Sequence, residues 1–288
     1  MYFKLNQNEK GLKVITQAQQ KNANNIMYGL VLADALLQLK KYKEADSLLD
    51  SFQLNIRTPK RYWQLLISAN VKRKDGKDLL SMLEKWKRTS PYHIEPVFLL
   101  ANYWGINKEP DKALSLLNDS LKLHPNNAMI HLLKMQILLY VNRTEEAKLL
   151  YKELKKFDIN ENLLAGIEGR ILLLERNFSS AVPKLQQLYD ANGNDNNATY
   201  LAFALDGNNQ KDEAMKLLEK HRDNHETNNI VNTRISLNLA NMYLAKHRDK
   251  AINEYERLLT STPNNIVVLN NLSWLYMEKN QFDDALKY

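Results

Sequence analysis

Histidines, paired carboxylates and a run of cations are the residues here whose chemistry must be weighed first. The six histidines are His93, His124, His131, His221, His225 and His247. Only His221 and His225 stand four apart, the spacing that sets two imidazoles on one helical face for a shared metal. No third ligand is evident nearby and Arg222 lies between them, so the segment reads as the solvated end of a helix. Glu145-Glu146 and Asp283-Asp284 each precede an alanine, which is a helix-start pattern that places negative charge on the positive end of the helix dipole and not an acid–base dyad. Phosphate loops, dinucleotide-binding glycine patterns and nucleophile elbows are missing, and Asp206-Gly207-Asn208-Asn209 lacks the ligand spacing of a calcium loop. With no cysteine in the chain, disulfides and thiolate metal sites are excluded. The expectation is a protein that is not an enzyme and that uses no cofactor or metal.

The net charge of +7 is local. Residues 57–88 hold ten Lys/Arg against three Asp/Glu, so the remainder is neutral. Lys60, Arg61, Lys72, Arg73, Lys74, Lys77, Lys85, Lys87 and Arg88 alternate there with Tyr62, Trp63 and Trp86. Nucleic acid would favour cations interleaved with aromatics. Yet both tryptophans fall on packing positions of the repeat described next, so the charges read as a solvated face. Nucleic acid is disfavoured as a partner; an acidic partner or an anionic polysaccharide stays open.

The elements that must position all of these residues recur with a fixed period. Gly11, Ala45, Leu79, Ala113, Ala147, Ala181, Ala214, Ala251 and Ala285 follow one another at intervals of 34, 34, 34, 34, 34, 33, 37 and 34 residues. A period of 34 resembles the tetratricopeptide (TPR) repeat, with the marked residue at position 20. Position 8, where helix A crosses its partner closely, is then Ala33, Ala101, Gly169, Ala202, Ala240 or Ser273, and the large position 11 is Trp104, Tyr243, Tyr276, Leu36, Leu138, Leu172, Leu205 or Tyr2. Pro91, Pro125 and Pro263 at position 32 stop helix B, and the Asn-Asn pairs after Pro125 and Pro263 cap the next helix A. Ile67 and Leu79 make the third repeat bulkier, so its helices are expected slightly apart.

The expected fold is therefore all-α: an α-solenoid, a right-handed TPR superhelix of helix-turn-helix repeats in which neighbours bury each other's apolar stripes. A single array over 1–288 divides into a partial repeat 1–25, repeats at about 26–59, 60–93, 94–127, 128–161, 162–194, 195–231 and 232–265, and a partial repeat 266–288. The 37-residue step places an insertion of about four residues near Asn224–Val231, and the turn at Lys246–Asp249 is one residue short. Tyr2 falls inside a helix A and Tyr288 inside a helix B, which is expected of a fragment of a longer protein. No apolar run reaches the roughly 18 residues of a membrane span, and the start carries no signal-type apolar core.

In such a repeat, helix A lines the concave face through positions 2, 5, 9, 12 and 13. Partner-binding candidates are Arg61 and Arg234 at position 2, Gln64, Phe98 and Asn270 at position 5, and Asn102, Arg170, Phe203, Asn241 and Trp274 at position 9. Leu30, Gly166 and Thr199 also fall at position 5. A groove of amides, a few aromatics and sparse charge suits an extended protein segment or peptide. No repeat has Lys at position 5, so the clamp by which some TPR modules hold a C-terminal carboxylate is not expected.

The C-terminal stretch Pro263-Asn-Asn-Ile-Val-Val-Leu-Asn-Asn-Leu-Ser-Trp-Leu-Tyr276 resembles the P-x-N-x-x-x-L-N-N-L-A-W-L-Y segment of bacterial TPR lipoproteins of the PEP-CTERM/exosortase system, the PrsT type. Tyr62-Trp63-Gln64-Leu65-Leu66, Glu84-Lys85-Trp86 with Pro91, and Ala165-Gly166-Ile167-Glu168-Gly169-Arg170 are also similar to that family. The resemblance implies a non-enzymatic scaffold in an envelope system for exopolysaccharide export or protein sorting. It implies a periplasmic or outer-membrane-associated location, with membrane contact only through a lipid anchor outside this stretch. The alternatives are a module that contacts an anionic exopolysaccharide directly, and a cytoplasmic adaptor.

Overall fold

The computed structural model describes residues 7–72, 79–223 and 229–288, with side chains over 7–71, 79–222 and 233–288. Tyr2, Arg73, Lys74, Lys77, His225, the Lys72 side chain and most of the insertion expected near Asn224–Val231 lie outside the described residues. Every regular element among those described is an α-helix. Two compact units divide the chain after Ile137. The first holds α1 (Asn8–Lys21), α2 (Ile26–Gln38), α3 (Tyr42–Asp50), α4 (Lys60–Lys72), α5 (Leu79–Thr89), α6 (Glu95–Ile106) and α7 (Pro110–Leu123). The division falls within α8 (Ala128–Tyr140). The second unit continues with α9 (Thr144–Leu154), α10 (Glu161–Leu174), α11 (Phe178–Ala191), α12 (Asp195–Gly207), α13 (Lys211–Asp223), α14 (Asn229–Tyr243), α15 (Arg248–Ser261), α16 (Ile266–Glu278) and α17 (Phe282–Lys287). Even-numbered helices are the A helices of the repeats and odd-numbered ones the B helices.

Asparagine starts many of the A helices. The side chains of Asn25, Asn127, Asn160, Asn194 and Asn265 each accept from backbone N–H groups of the turn they precede, satisfying donors that no helical carbonyl can reach. The helices before Pro91, Pro125 and Pro263 end two residues ahead of each proline, because proline offers no N–H and restricts the residue before it.

The hairpin turns share one construction. Lys40, Lys108, Asn142, Arg176, Asn209 and Asn280, all at position 15, take φ between 57° and 62°. In each, the N–H of the next residue donates back to the carbonyl at position 11, as from Lys41 to Leu36 at 2.9 Å and from Gln281 to Tyr276 at 2.9 Å. This is a Schellman closure, with the left-handed residue just past the helix end. The turn between α14 and α15 differs. Tyr243 and Ala251 are eight apart where Leu36 and Ala45 are nine, none of its residues has positive φ, and the His247 N–H donates to the Tyr243 carbonyl within a tighter loop at 2.7 Å. The residue deleted from this turn is the left-handed one.

Small residues at positions 8 and 20 let A and B helices touch. Ala33, Ala45, Ala202, Ala214, Ala240 and Ala251 are fully buried. At Gly169 a β-carbon would come within 2.6 Å of Leu185 Cγ, and at Gly166 within 2.4 Å of Leu188 Cδ2. The third repeat departs from the marker register: Leu79, the first residue of α5, is 37% exposed. Its place in the core is taken by Tyr62, Trp63 and Trp86, each 1% exposed. The two indoles stack 5.9 Å apart at 8°, an arrangement worth about 0.5–1.5 kcal/mol beyond area burial. Trp86 Nε1 donates to His93 Nδ1 at 2.8 Å. An indole can only donate, so His93 is neutral at that nitrogen.

Candidate functional site

The A helices leave recurring apolar side chains in water. Met27, Met129, Leu163 and Val267 expose position 2, Val31 and Leu99 position 6, Phe203 and Trp274 position 9, and Ile106 and Tyr140 position 13. These positions recur at three- and four-residue intervals, so they share one helical face. Position 5 is less regular than expected. Leu30 and Thr199 are 2% exposed and Gly166 is buried against Leu188, because in those repeats that position turns toward the neighbouring helix B or the helix's own backbone. Gln64 and Phe98 do reach the surface.

In the first unit, Gln64 and Phe98 come together in a hollow of about 550 Å³, with Ile67, Ser68, Val71 and Leu99 on the walls and Trp86 and Glu95 completing it. No cation lines it, and the two that open α4 are already answered. Lys60 Nζ lies 3.2 Å from Glu95 Oε1, and Arg61 Nη2 lies 2.6 Å from Asp34 Oδ2 on the preceding A helix. Burial and the contact with Lys60 act oppositely on Glu95, and its pKa ends below the usual carboxylate value. Asn102 is exposed on α6 and lines neither this hollow nor the next.

In the second unit, Arg170 and Phe203 share a hollow of about 510 Å³ with Tyr140, Asn142, Phe178, Tyr200 and Asp206. The Arg170 guanidinium carbon sits 4.5 Å from the Tyr200 ring centroid, a cation–π contact. Burial holds its pKa below the ordinary guanidinium value, the Tyr200 hydroxyl acting in the opposite sense, and the group stays charged at physiological pH. Tyr140, Phe178 and Tyr200 were not among the residues singled out by position. The available signal was an aromatic at position 6 of one repeat beside an arginine at position 9 of the one before.

The other expected residues are dispersed. Arg234 Nη2 donates to Asn196 Oδ1 at 2.7 Å. Asn241 is exposed but accepts from the buried Tyr255 hydroxyl at 2.6 Å, and Asn271 donates to the same hydroxyl at 2.9 Å, so Asn241 also closes a core polar group. Asn270 is exposed and Trp274 is 48% exposed on α16.

His221 corrects the reading of a solvated helix end. It is 5% exposed, its Nδ1 lies 2.7 Å from Asp195 Oδ1, and its Nε2 lies 2.9 Å from the Tyr189 hydroxyl. The carboxylate accepts, so Nδ1 carries the proton, and in the neutral ring Nε2 accepts from Tyr189. The chain of bonds ties α11, α12 and α13 together. Among the described residues no three His, Asp or Glu side chains gather as a metal site, and no helix is long and apolar enough to cross a membrane.

No protein-family model and no curated protein matches the sequence. Solved structures do match in shape. A chain of the APC/C hetero-tetramer Cut9–Hcn1 aligns at TM-score 0.63 and 14% identity over 93% of this chain and 52% of its own. The present chain thus spans about half of that one. A thermophilic TPR protein of Thermus thermophilus aligns at TM-score 0.55 and 15% identity, over 64% of this chain and 100% of its own. The fold is a TPR α-solenoid. PilW, a type IV pilus biogenesis factor, also shares the architecture at TM-score 0.56 and 14% identity over 67% of this chain and 88% of its own. Identities this low speak for the TPR fold and for nothing finer.

Proposed function

We propose that this chain is a non-enzymatic protein-interaction scaffold that holds an extended segment of a partner along its A-helix face. One observation carries the reading: apolar side chains recur in water at positions 2, 6, 9 and 13 of α2, α6, α8, α10, α12 and α16, in a fold whose core needs none of them. Clustered apolar side chains left in solvent mark a binding surface, and interleaved amides supply acceptors and donors for a peptide backbone. A photo-crosslinking residue at Asn102 or Asn270, on A helices, should capture partner protein in cells, while one at Lys85 or Arg88, on helix B of the third repeat, should not. Equal capture from both sets would remove the groove.

The resemblance of Pro263–Tyr276 to envelope TPR lipoproteins supports a setting in exopolysaccharide export or protein sorting, at the periplasmic face or outer membrane. Fractionation of the source cells tests this directly, and recovery in the cytosolic fraction would favour the adaptor reading. Direct attraction of an anionic polysaccharide by the basic segment is weakened by pairing: Lys60, Arg61 and Lys87 each face a carboxylate.

A further inference from the structure

The Arg170 guanidinium lines the hollow of the second unit. Among the described residues no carboxylate stands within ion-pair distance of it; Asp206 lines the same hollow from α12 but lies beyond that reach. The guanidinium is held in place by the Tyr200 ring on one side, so little side-chain freedom remains to be lost when a ligand arrives. Around it stand Tyr140, Phe178 and Phe203, an apolar lining against which a side chain beside the ion pair can pack. A hollow of about 510 Å³ fits one or two residues of a peptide, not a folded surface.

We propose that this hollow binds an internal acidic residue of the partner segment, its side-chain carboxylate paired with Arg170 and an adjacent apolar side chain packed against Tyr140, Phe178 and Phe203. The proposal rests on the peptide-groove reading above and adds to it a sequence preference. A guanidinium matches a carboxylate in a two-bond fork, and the pair would return to Arg170 the polar contacts that burial has removed. Asp206 and Asn142 on the rim accept backbone N–H groups of a segment running through. Asp206 also disfavours a ligand that brings a second negative charge, such as an acidic residue at a free chain end.

The test uses the 288-residue chain and four synthetic probes in isothermal titration. The first is a capped hexapeptide, acetyl-Gly-Ser-Glu-Leu-Gly-Ser-amide. The second has glutamine for glutamate. The third is a neutral peptide ending in leucine with a free carboxylate. The fourth is an oligogalacturonate. The glutamate peptide should bind at least about tenfold tighter than its glutamine analogue, the equivalent of about 1.4 kcal/mol. Arg170→Gln should erase that gap, and Phe203→Ala should weaken both peptides alike. Circular dichroism on each variant checks that the helices persist. If both peptides bind equally, the inference falls and the peptide groove stands. A free carboxylate bound better than the internal glutamate overturns it in favour of chain-end recognition. Arg170-dependent binding of the oligogalacturonate alone overturns it in favour of an acidic sugar. Binding of no probe, with the crosslinks at Asn102 and Asn270 also empty, removes both the inference and the groove.

Discussion

The two hollows are close in size, about 550 Å³ beside Phe98 and about 510 Å³ beside Phe203, yet their chemistry is opposite. Size follows from the solenoid, because helices repeated at a fixed spacing leave similar gaps on one face. Chemistry follows from single side chains. Beside Phe98 the charges of Lys60 and Arg61 are spent on Glu95 and Asp34, and what remains is an apolar slot over an indole. Beside Phe203 the cation has no carboxylate partner among the described residues and is stacked on a tyrosine. A repeat fold thus supplies equivalent sites and lets individual positions decide what each will take. The supports beneath them differ as well: the first hollow stands on the Trp63–Trp86 stack, the second on an α10 seated against α11 through Gly166 and Gly169.

The largest effect should come from removing the floor of the first hollow. Trp86→Ala takes away a fully buried indole, its stack on Trp63 and its bond to His93, and should cost roughly 3–5 kcal/mol in urea unfolding. A loss under about 1 kcal/mol would show that the aromatic cluster does not support that unit. The second hollow should be more forgiving. Gly169→Leu must displace Leu185 and should cost about 1–3 kcal/mol, whereas Gly105→Ala, where a β-carbon meets nothing within 4 Å, should change stability by no more than about 0.5 kcal/mol. Equal effects at the two glycines would contradict the close approach of α10 and α11.

Alkaline pH should give the smallest effect and separate the units by a different route. Burial pushes the Tyr62 phenol up to about 12, with Asp50 adding to the rise. A raised folded-state pKa stabilises the neutral form. That contribution is complete below about pH 10, where the unfolded phenol is still protonated, and is lost as pH climbs toward 12. Tyr62→Phe should therefore alter stability by less than about 1 kcal/mol at pH 7 and flatten its decline between pH 10 and 12. Identical declines in the parent and the variant would place the titration elsewhere. In the second unit the Tyr243 phenol is also raised, first by burial and then by its bond to Glu219, so Tyr62→Phe leaves that unit's decline in place.

Helix boundaries and hairpin turns were legible because they depend on local chemistry. An asparagine before a helix or a proline after one acts within a few residues, and the eight-residue interval at Tyr243–Ala251 alone reported the short turn. Packing across helices was less legible. Trp63 and Trp86 were legible as packing positions and are buried, but Leu79 occupies a position that is small in most repeats, and nothing in the spacing showed that it would lie partly exposed while Tyr62 joined the two indoles in the core. His221 was misread for the same reason: its partners Asp195 and Tyr189 are 26 and 32 residues away, outside any window in which helical periodicity is visible. The groove residues were found by position, but their grouping was not. Arg170 meets Phe203 in one hollow while Asn102 stands apart, because the neighbours at positions 6 and 13 decide which gaps have walls.

The placement of the tryptophans makes the molecule its own optical probe. Trp63 and Trp86 are 1% exposed and Trp104 is half-buried in the first unit, whereas Trp274 is 48% exposed in the second. Shielded indoles emit at shorter wavelength than hydrated ones, and a soluble quencher such as iodide reaches the hydrated ones first. The blue edge of the emission band therefore reports the folding of one unit, and the readily quenched red edge reports occupancy of the A-helix face in the other. Loss of structure in one unit and arrival of a ligand at the other can be recorded from the same unlabelled sample.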